Sequence, residues 1–139
     1  MDTPPPSGFE QRLFGPGPKR VLSLDGGGVR GLLTIAILER IEAVISAEAG
    51  RPVRLCEVFD LIGGTSTGAL IATALALGQP VAAIRDMYLR LAPAVFRRSR
   101  WRIPGFHAKF DARPLRREIE AIVGERTLDS PDLRCGLCV

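Results

Sequence analysis

Two glycine-rich turns each stand between a short apolar run and a helical stretch, and this repeated arrangement constrains the fold more than any other feature of the chain. The first is Asp25-Gly26-Gly27-Gly28-Val29-Arg30-Gly31, preceded by Arg20-Val21-Leu22-Ser23-Leu24. The second is Gly64-Thr65-Ser66-Thr67-Gly68, preceded by the run from Val58 to Gly63. Both leading runs are too short for helices and rich in apolar residues, so they read as buried strands. After the first turn, Leu33, Ile37, Ile41, Val44 and Ile45 recur at three- and four-residue spacing, while Glu39, Arg40 and Glu42 fall elsewhere; this predicts an amphipathic helix from Leu32 to about Ser46. After the second, an alanine- and leucine-rich helix reaches Leu77 and is stopped by Gly78-Gln79-Pro80.

Further helices are predicted from about Val81 to Leu91 and from Arg113 to Val123, with an irregular stretch from Arg97 to Phe110 and a last strand from Leu133 to Val139. Strands alternating with helices imply an α/β fold with a mostly parallel sheet, in which ligands bind beyond the C-terminal strand ends. Both glycine turns fall at such ends. Residues 1–19, with Pro4, Pro5, Pro6, Gly8, Gly15, Pro16, Gly17 and Pro18, are expected to form an extended, poorly ordered leader.

The 46% apolar and 24% charged composition is that of a globular domain. From Leu61 to Ile84 no residue is charged, yet glycines and Pro80 interrupt the stretch, and its apolar part, Ala69 to Leu77, falls far short of the roughly 20 residues of a membrane span. The N-terminus has neither the basic start nor the apolar run of a secretion signal, so a cytoplasmic location is expected, peripheral at a membrane if at one at all. Cys56, Cys135 and Cys138 are odd in number and read as reduced thiols. Cys135-Gly136-Leu137-Cys138 has the spacing of a redox or metal pair, but without a second such pair or a nearby His it reads as small buried residues of a strand.

Gly64-Thr65-Ser66-Thr67-Gly68 has the form of a nucleophile elbow, which exposes a serine hydroxyl on a strained strand-to-helix turn. The free N–H groups of the following helix favour negative charge developing on a bound carbonyl oxygen. A plainer reading makes Ser66 a helix N-cap. The first turn also has two readings. Gly26, Gly28 and Gly31 satisfy the dinucleotide fingerprint GxGxxG, but the acid about 20 residues onward, Glu48, falls at the end of a helix rather than a strand. Alternatively, Gly26, Gly27 and Gly28 present backbone donors as an oxyanion hole. Arg30 either supports that loop, meets an anionic head group, or is a surface arginine.

Leu24-Asp25-Gly26-Gly27-Gly28-Val29-Arg30-Gly31 followed by Gly64-Thr65-Ser66-Thr67-Gly68 resembles the patatin family of lipid acyl hydrolases, from about Arg20 to the C-terminus. Phe110-Asp111-Ala112-Arg113-Pro114-Leu115 is loosely similar to a further segment of that family, and bacterial patatin-like phospholipases used as defence effectors share the motif wording. The resemblance implies a three-layer α/β/α sandwich and a phospholipase A or esterase activity without metal or other cofactor, acting on a phospholipid or another acyl-lipid. It implies an oxyanion hole at Gly26, Gly27 and Gly28 and a nucleophile at Ser66. Asp25, Arg30, Gly31, Gly64 and Gly68 complete the two motifs.

A serine hydroxyl needs a base. Family members use an aspartate in an Asp-Gly-Gly or Asp-Gly-Ala motif well after the serine, and none follows Ser66 here. Asp86, Asp111, Glu118, Glu120, Glu125, Asp129 and Asp132 lack that context and read as solvated or ion-paired, while His107, the single histidine, reads as a surface residue. Residues 20–139 are therefore expected to be the N-terminal portion of a patatin-like domain whose catalytic aspartate lies beyond Val139, leaving this chain weakly active or inactive and prone to associate, with a non-catalytic lipid-binding remnant as the alternative.

Residues 97, 98, 100, 102, 109, 113, 116 and 117 are eight Lys or Arg against the single acid Asp111. Arg97, Arg98, Arg100, Trp101 and Arg102, with Ile103, Phe106 and Phe110, suit an anionic bilayer surface, where each cation contributes about 1 kcal/mol. A solvated face is the alternative. No nucleic-acid recognition motif accompanies the cluster, so nucleic acid is not the expected partner.

Overall fold

A computed structural model describes residues 8–27, 31–96 and 112–139. Three strands, β1 (Val21–Leu24), β2 (Leu61–Gly64) and β3 (Gly136–Cys138), form a parallel sheet in the order β1-β2-β3. The helices are α1 (Gly8–Phe14), α2 (Gly31–Ala49), α3 (Leu55–Val58), α4 (Thr67–Ala76), α5 (Val81–Phe96) and α6 (Ala112–Val123). A parallel sheet clad in helices is consistent with an α/β sandwich.

Helix α4 lies across all three strands. Its Ile71, Ala72, Ala74, Leu75 and Ala76 are buried and join Ile62, Leu24 and Cys135 of the sheet region in the core. Small residues on α4 let the helix backbone approach the sheet closely, as its alanine-rich composition requires. Helices α2 and α5 pack against each other, and Ile35, Leu38, Ile84 and Tyr88 fill the space between them. The carboxylate of Glu42, mostly buried, ties this layer together: it pairs with Arg54 at 3.2 Å and accepts the Val81 N–H at 3.4 Å.

Four expectations are corrected. The leader is not extended throughout: Gly8–Phe14 is helical, and Arg12 donates to the carbonyl oxygens of Cys56 (3.0 Å), Glu57 (3.0 Å) and Arg134 (2.8 Å). A guanidinium satisfying three backbone carbonyls, two of them in α3, outweighs the disorder that the prolines suggest. The run expected as a strand from Val58 begins instead with helix α3, whose first turn is closed by the Arg54 N–H donating to Glu57 Oε1 at 2.8 Å. The helix after the first turn buries a face only partly the one expected: Ile41 and Ile45 pack against the core as expected, but Ile35 and Leu38 are the buried positions, whereas Leu33, Ile37 and Val44 are exposed. A helix this apolar on several sides takes its inward face from its neighbours. Lastly, Cys138 is exposed, and only Cys56 and Cys135 are buried.

Candidate active site at the strand ends

Strands β1 and β2 pair in a register that sets Leu24 against Gly64, so both end at the same level of the sheet. The Thr65 N–H donates to the Leu24 carbonyl at 3.2 Å and carries the pairing one residue further. Two turns that are 40 residues apart in sequence are thereby brought edge to edge.

The second turn is tight because its glycines leave no room for side chains. A Cβ on Gly64 would lie 2.5 Å from the carbonyl carbon of Gly68, and one on Gly68 would lie 2.9 Å from the Asp25 carbonyl oxygen and nearer still to that of Leu24. Backbone atoms cannot swing aside as a flexible side chain can. Between them Ser66 adopts φ 54° and ψ −121°, the only positive φ of a non-glycine residue among those described. Such a conformation costs on the order of 1–3 kcal/mol and persists only where its surroundings enforce it.

Ser66 is exposed and makes no side-chain capping bond to α4, which removes the N-cap reading. The start of α4 is closed by backbone instead: the Gly68 N–H donates to the Thr65 carbonyl at 2.9 Å and the Ala69 N–H to the Ser66 carbonyl at 3.1 Å. Its hydroxyl is thus free of a structural duty to the helix.

The first turn closes on the second. A Cβ on Gly26 would lie 2.8 Å from the Ser66 Cβ and 2.8 Å from the Thr65 carbonyl oxygen. The Gly26 N–H donates to Thr65 Oγ1 at 3.3 Å, and the Gly27 N–H donates to Thr67 Oγ1 at 3.2 Å. These are long for N–H···O bonds, whose usual separation is about 2.9–3.0 Å. Asp25 lies exposed beside them, while Gly31 is buried at the start of α2. Gly28 and Arg30 lie outside the described residues, as do His107, Asp111 and the set expected at a membrane surface, Arg97, Arg98, Arg100, Trp101 and Arg102. Of the remaining basic cluster, Arg116 is exposed and paired with Glu120 at 2.8 Å.

The dinucleotide reading loses its acid in this structure. Glu48 is an exposed residue in the last turn of α2 and not at the end of a strand. Among the described residues, no group of three His, Cys, Asp or Glu is placed to hold a metal ion, and no helix is long and apolar enough to cross a membrane.

Three residues join the site that the motifs alone do not single out: Thr65, Thr67 and Tyr88. The threonines were visible as the variable positions of the elbow, but their role as acceptors depends on where the other turn lies. Tyr88 is buried in α5, and its hydroxyl packs closely against Gly31, where a Cβ would lie 2.5 Å from the hydroxyl oxygen. Burial pushes its phenol above the ordinary range, against a smaller downward pull from the Thr67 side chain and the Gly31 backbone.

Residues 22–138 match the family model described as patatin-like phospholipase. The chain is 34% identical over 131 residues to a cGAMP-activated phospholipase of Vibrio cholerae serotype O1, covering 86% of this chain and 37% of that protein. It is 37% identical over 122 residues to patatin-like protein 4 of Arabidopsis thaliana, covering 78% of this chain and 30% of that protein. With patatin-T5 of Solanum tuberosum the identity is 35% over 113 residues, covering 76% of this chain and 28% of that protein. The chain spans about a third of the length of these relatives.

Proposed function

Because this chain belongs to the patatin-like phospholipase family, we propose that it supplies the nucleophile and the oxyanion loop of a serine-dependent lipid acyl hydrolase. The observation that carries this reading is the strained, exposed Ser66 with the Gly26 backbone packed against its Cβ. Strain of this kind serves no purpose in an ordinary turn; it holds an attacking oxygen where a carbonyl can reach it.

Ser66 Oγ attacks the ester carbonyl carbon while its proton passes to a base. The carbonyl oxygen takes up negative charge facing the amides of the glycine loop, Gly26, Gly27 and Gly28. Collapse breaks the carbon–oxygen bond to the alcohol, which leaves with a proton, and the fatty acyl group remains esterified to Ser66. Water then attacks the same carbonyl and releases the acid. Each donor in such a hole stabilises the transition state by about 3 kcal/mol.

The base is an aspartate outside these 139 residues. Support comes from the absence of any Asp-Gly-Gly or Asp-Gly-Ala after Ser66 and from the third of the relatives' length that the chain spans. The substrate is a phospholipid or another acyl-lipid, met at the cytoplasmic surface of a membrane by the basic segment around Arg97, Arg98, Arg100, Trp101 and Arg102; the composition of that segment supports this.

A fluorophosphonate probe tests the nucleophile, with fatty-acid release from phosphatidylglycerol vesicles as the companion assay on the protein that carries this chain. Labelling and release that both vanish in Ser66→Ala are the expected result. Release that persists in Ser66→Ala would overturn the assignment.

A further inference from the structure

The pairing of β1 with β2 does not stop where the strands stop. Beyond the Leu24–Gly64 pair, the Thr65 N–H still donates to the Leu24 carbonyl at 3.2 Å. The elbow then turns into α4, and the next amides of the first turn find side chains in place of backbone. The Gly26 N–H donates to Thr65 Oγ1 at 3.3 Å and the Gly27 N–H to Thr67 Oγ1 at 3.2 Å. Consecutive amides are thus taken by the two threonines that straddle Ser66. Each backbone N–H needs a partner, and these two take theirs from the elbow.

Threonine suits this duty, because two heavy atoms on Cβ restrict χ1 and keep the hydroxyl where the backbone puts it. The backbone beneath is itself fixed. The Gly68 N–H donates to the Thr65 carbonyl at 2.9 Å, and Gly68 lies so near β1 that an added Cβ would stand 2.9 Å from the Asp25 carbonyl oxygen. The two holds are unequal, however. Thr67 is 9% exposed and its bond to Gly27 is partly buried, whereas Thr65 and its bond to Gly26 are exposed. Water therefore competes for the Gly26 amide far more than for that of Gly27. A bond of 3.2 Å also leaves the Gly27 N–H able to share itself with a second acceptor, and a charged oxygen is the stronger of the two.

We infer that the two threonines of the elbow are unequal positioning residues for the oxyanion loop. Thr67 keeps the Gly27 amide aimed at the elbow until an oxyanion shares it, and Thr65 makes the weaker, water-exposed hold on Gly26. This rests on the oxyanion role proposed above for those amides.

Thr65→Val and Thr67→Val delete each hydroxyl and keep the branched shape, and Thr67→Ser keeps the hydroxyl and frees its rotation. Amide exchange measured by NMR on the ¹⁵N-labelled chain reads the bonds themselves. The Gly27 amide is expected to exchange roughly tenfold faster in Thr67→Val, and the Gly26 amide no more than about threefold faster in Thr65→Val, with Ile62 and Leu75 unchanged in both. Fluorophosphonate labelling of Ser66, followed in the protein that carries this chain, should slow roughly tenfold in Thr67→Val, recover in part in Thr67→Ser, and change little in Thr65→Val. An unchanged Gly27 exchange rate in Thr67→Val overturns the proposal. So does a rise shared equally by Ile62 and Leu75, which would report general loosening, and so does an equal loss of labelling in the two valine variants. Labelling with unaltered Gly27 exchange sinks the positioning role alone. The expected exchange pattern in a protein that is never labelled sinks the reading of Ser66 beneath it, and with that the catalytic purpose of the hold.

Discussion

Gly26 packs so closely on Ser66 that a side-chain carbon added to the glycine would lie 2.8 Å from the serine Cβ. The same added carbon would lie 2.8 Å from the Thr65 carbonyl oxygen, so it has no direction of escape. Gly26→Ala must therefore lift the first turn off the elbow. Because Gly26 is exposed and outside the core, the fold should survive. The rate of fluorophosphonate labelling at Ser66 is expected to fall by about 10²-fold, as for the loss of an oxyanion donor. An unfolding curve close to that of the unsubstituted chain would show that the loss is local.

Ser66→Gly is expected to stabilise the chain while abolishing its reactivity. Relief of a φ of 54° returns on the order of 1–3 kcal/mol, and the freedom of glycine in the unfolded chain offsets roughly 0.5–1 of it. Urea denaturation should place Ser66→Gly about 1 kcal/mol above Ser66→Ala, which keeps the strained backbone. Equal stability of the two variants would show that the turn is not strained.

Alkaline pH should weaken the fold through Cys135. Burial foremost, with added repulsion from neighbouring Cys56 and Asp60, pushes its thiol up to about 12 from an ordinary value of 9.0. The unfolded chain releases this proton near the ordinary value, while the folded chain holds it. Folding stability is therefore whole below about pH 9 and declines toward pH 12, by up to about 1.4 kcal/mol per pH unit from this group. Burial raises the Cys56 thiol too, which acts in the same direction. Urea midpoints at pH 8 and pH 10.5 should differ less in Cys135→Ala than in the unsubstituted chain. Thiol reagents at pH 8 should modify the exposed Cys138 and spare Cys135.

Arg12→Ala should release the N-terminal helix without disturbing the site. Three carbonyl oxygens, those of Cys56, Glu57 and Arg134, lose a charged donor, a loss of about 1–3 kcal/mol in a partly exposed setting. Limited proteolysis is expected to cut within residues 8–19 several times faster in the variant. The labelling rate at Ser66 should stay as it was, since α1 packs on β3.

The glycine and serine turns were legible because their requirement is local. A backbone that must bend between strand and helix within five residues admits few residue types, and Gly64, Ser66 and Gly68 are among them. The parallel arrangement of β1, β2 and β3 followed from the alternation of strand and helix. The same local logic misjudged the inward face of α2 and the boundary at Val58, where several apolar residues competed and only packing could choose among them.

Sequence also could not show that Thr65 and Thr67 accept the amides of Gly26 and Gly27. Those bonds join residues 39 and 40 positions apart. Hydrogen bonds at such separation leave no periodicity and no spacing in the chain; they exist because the Leu24–Gly64 register brings their partners together.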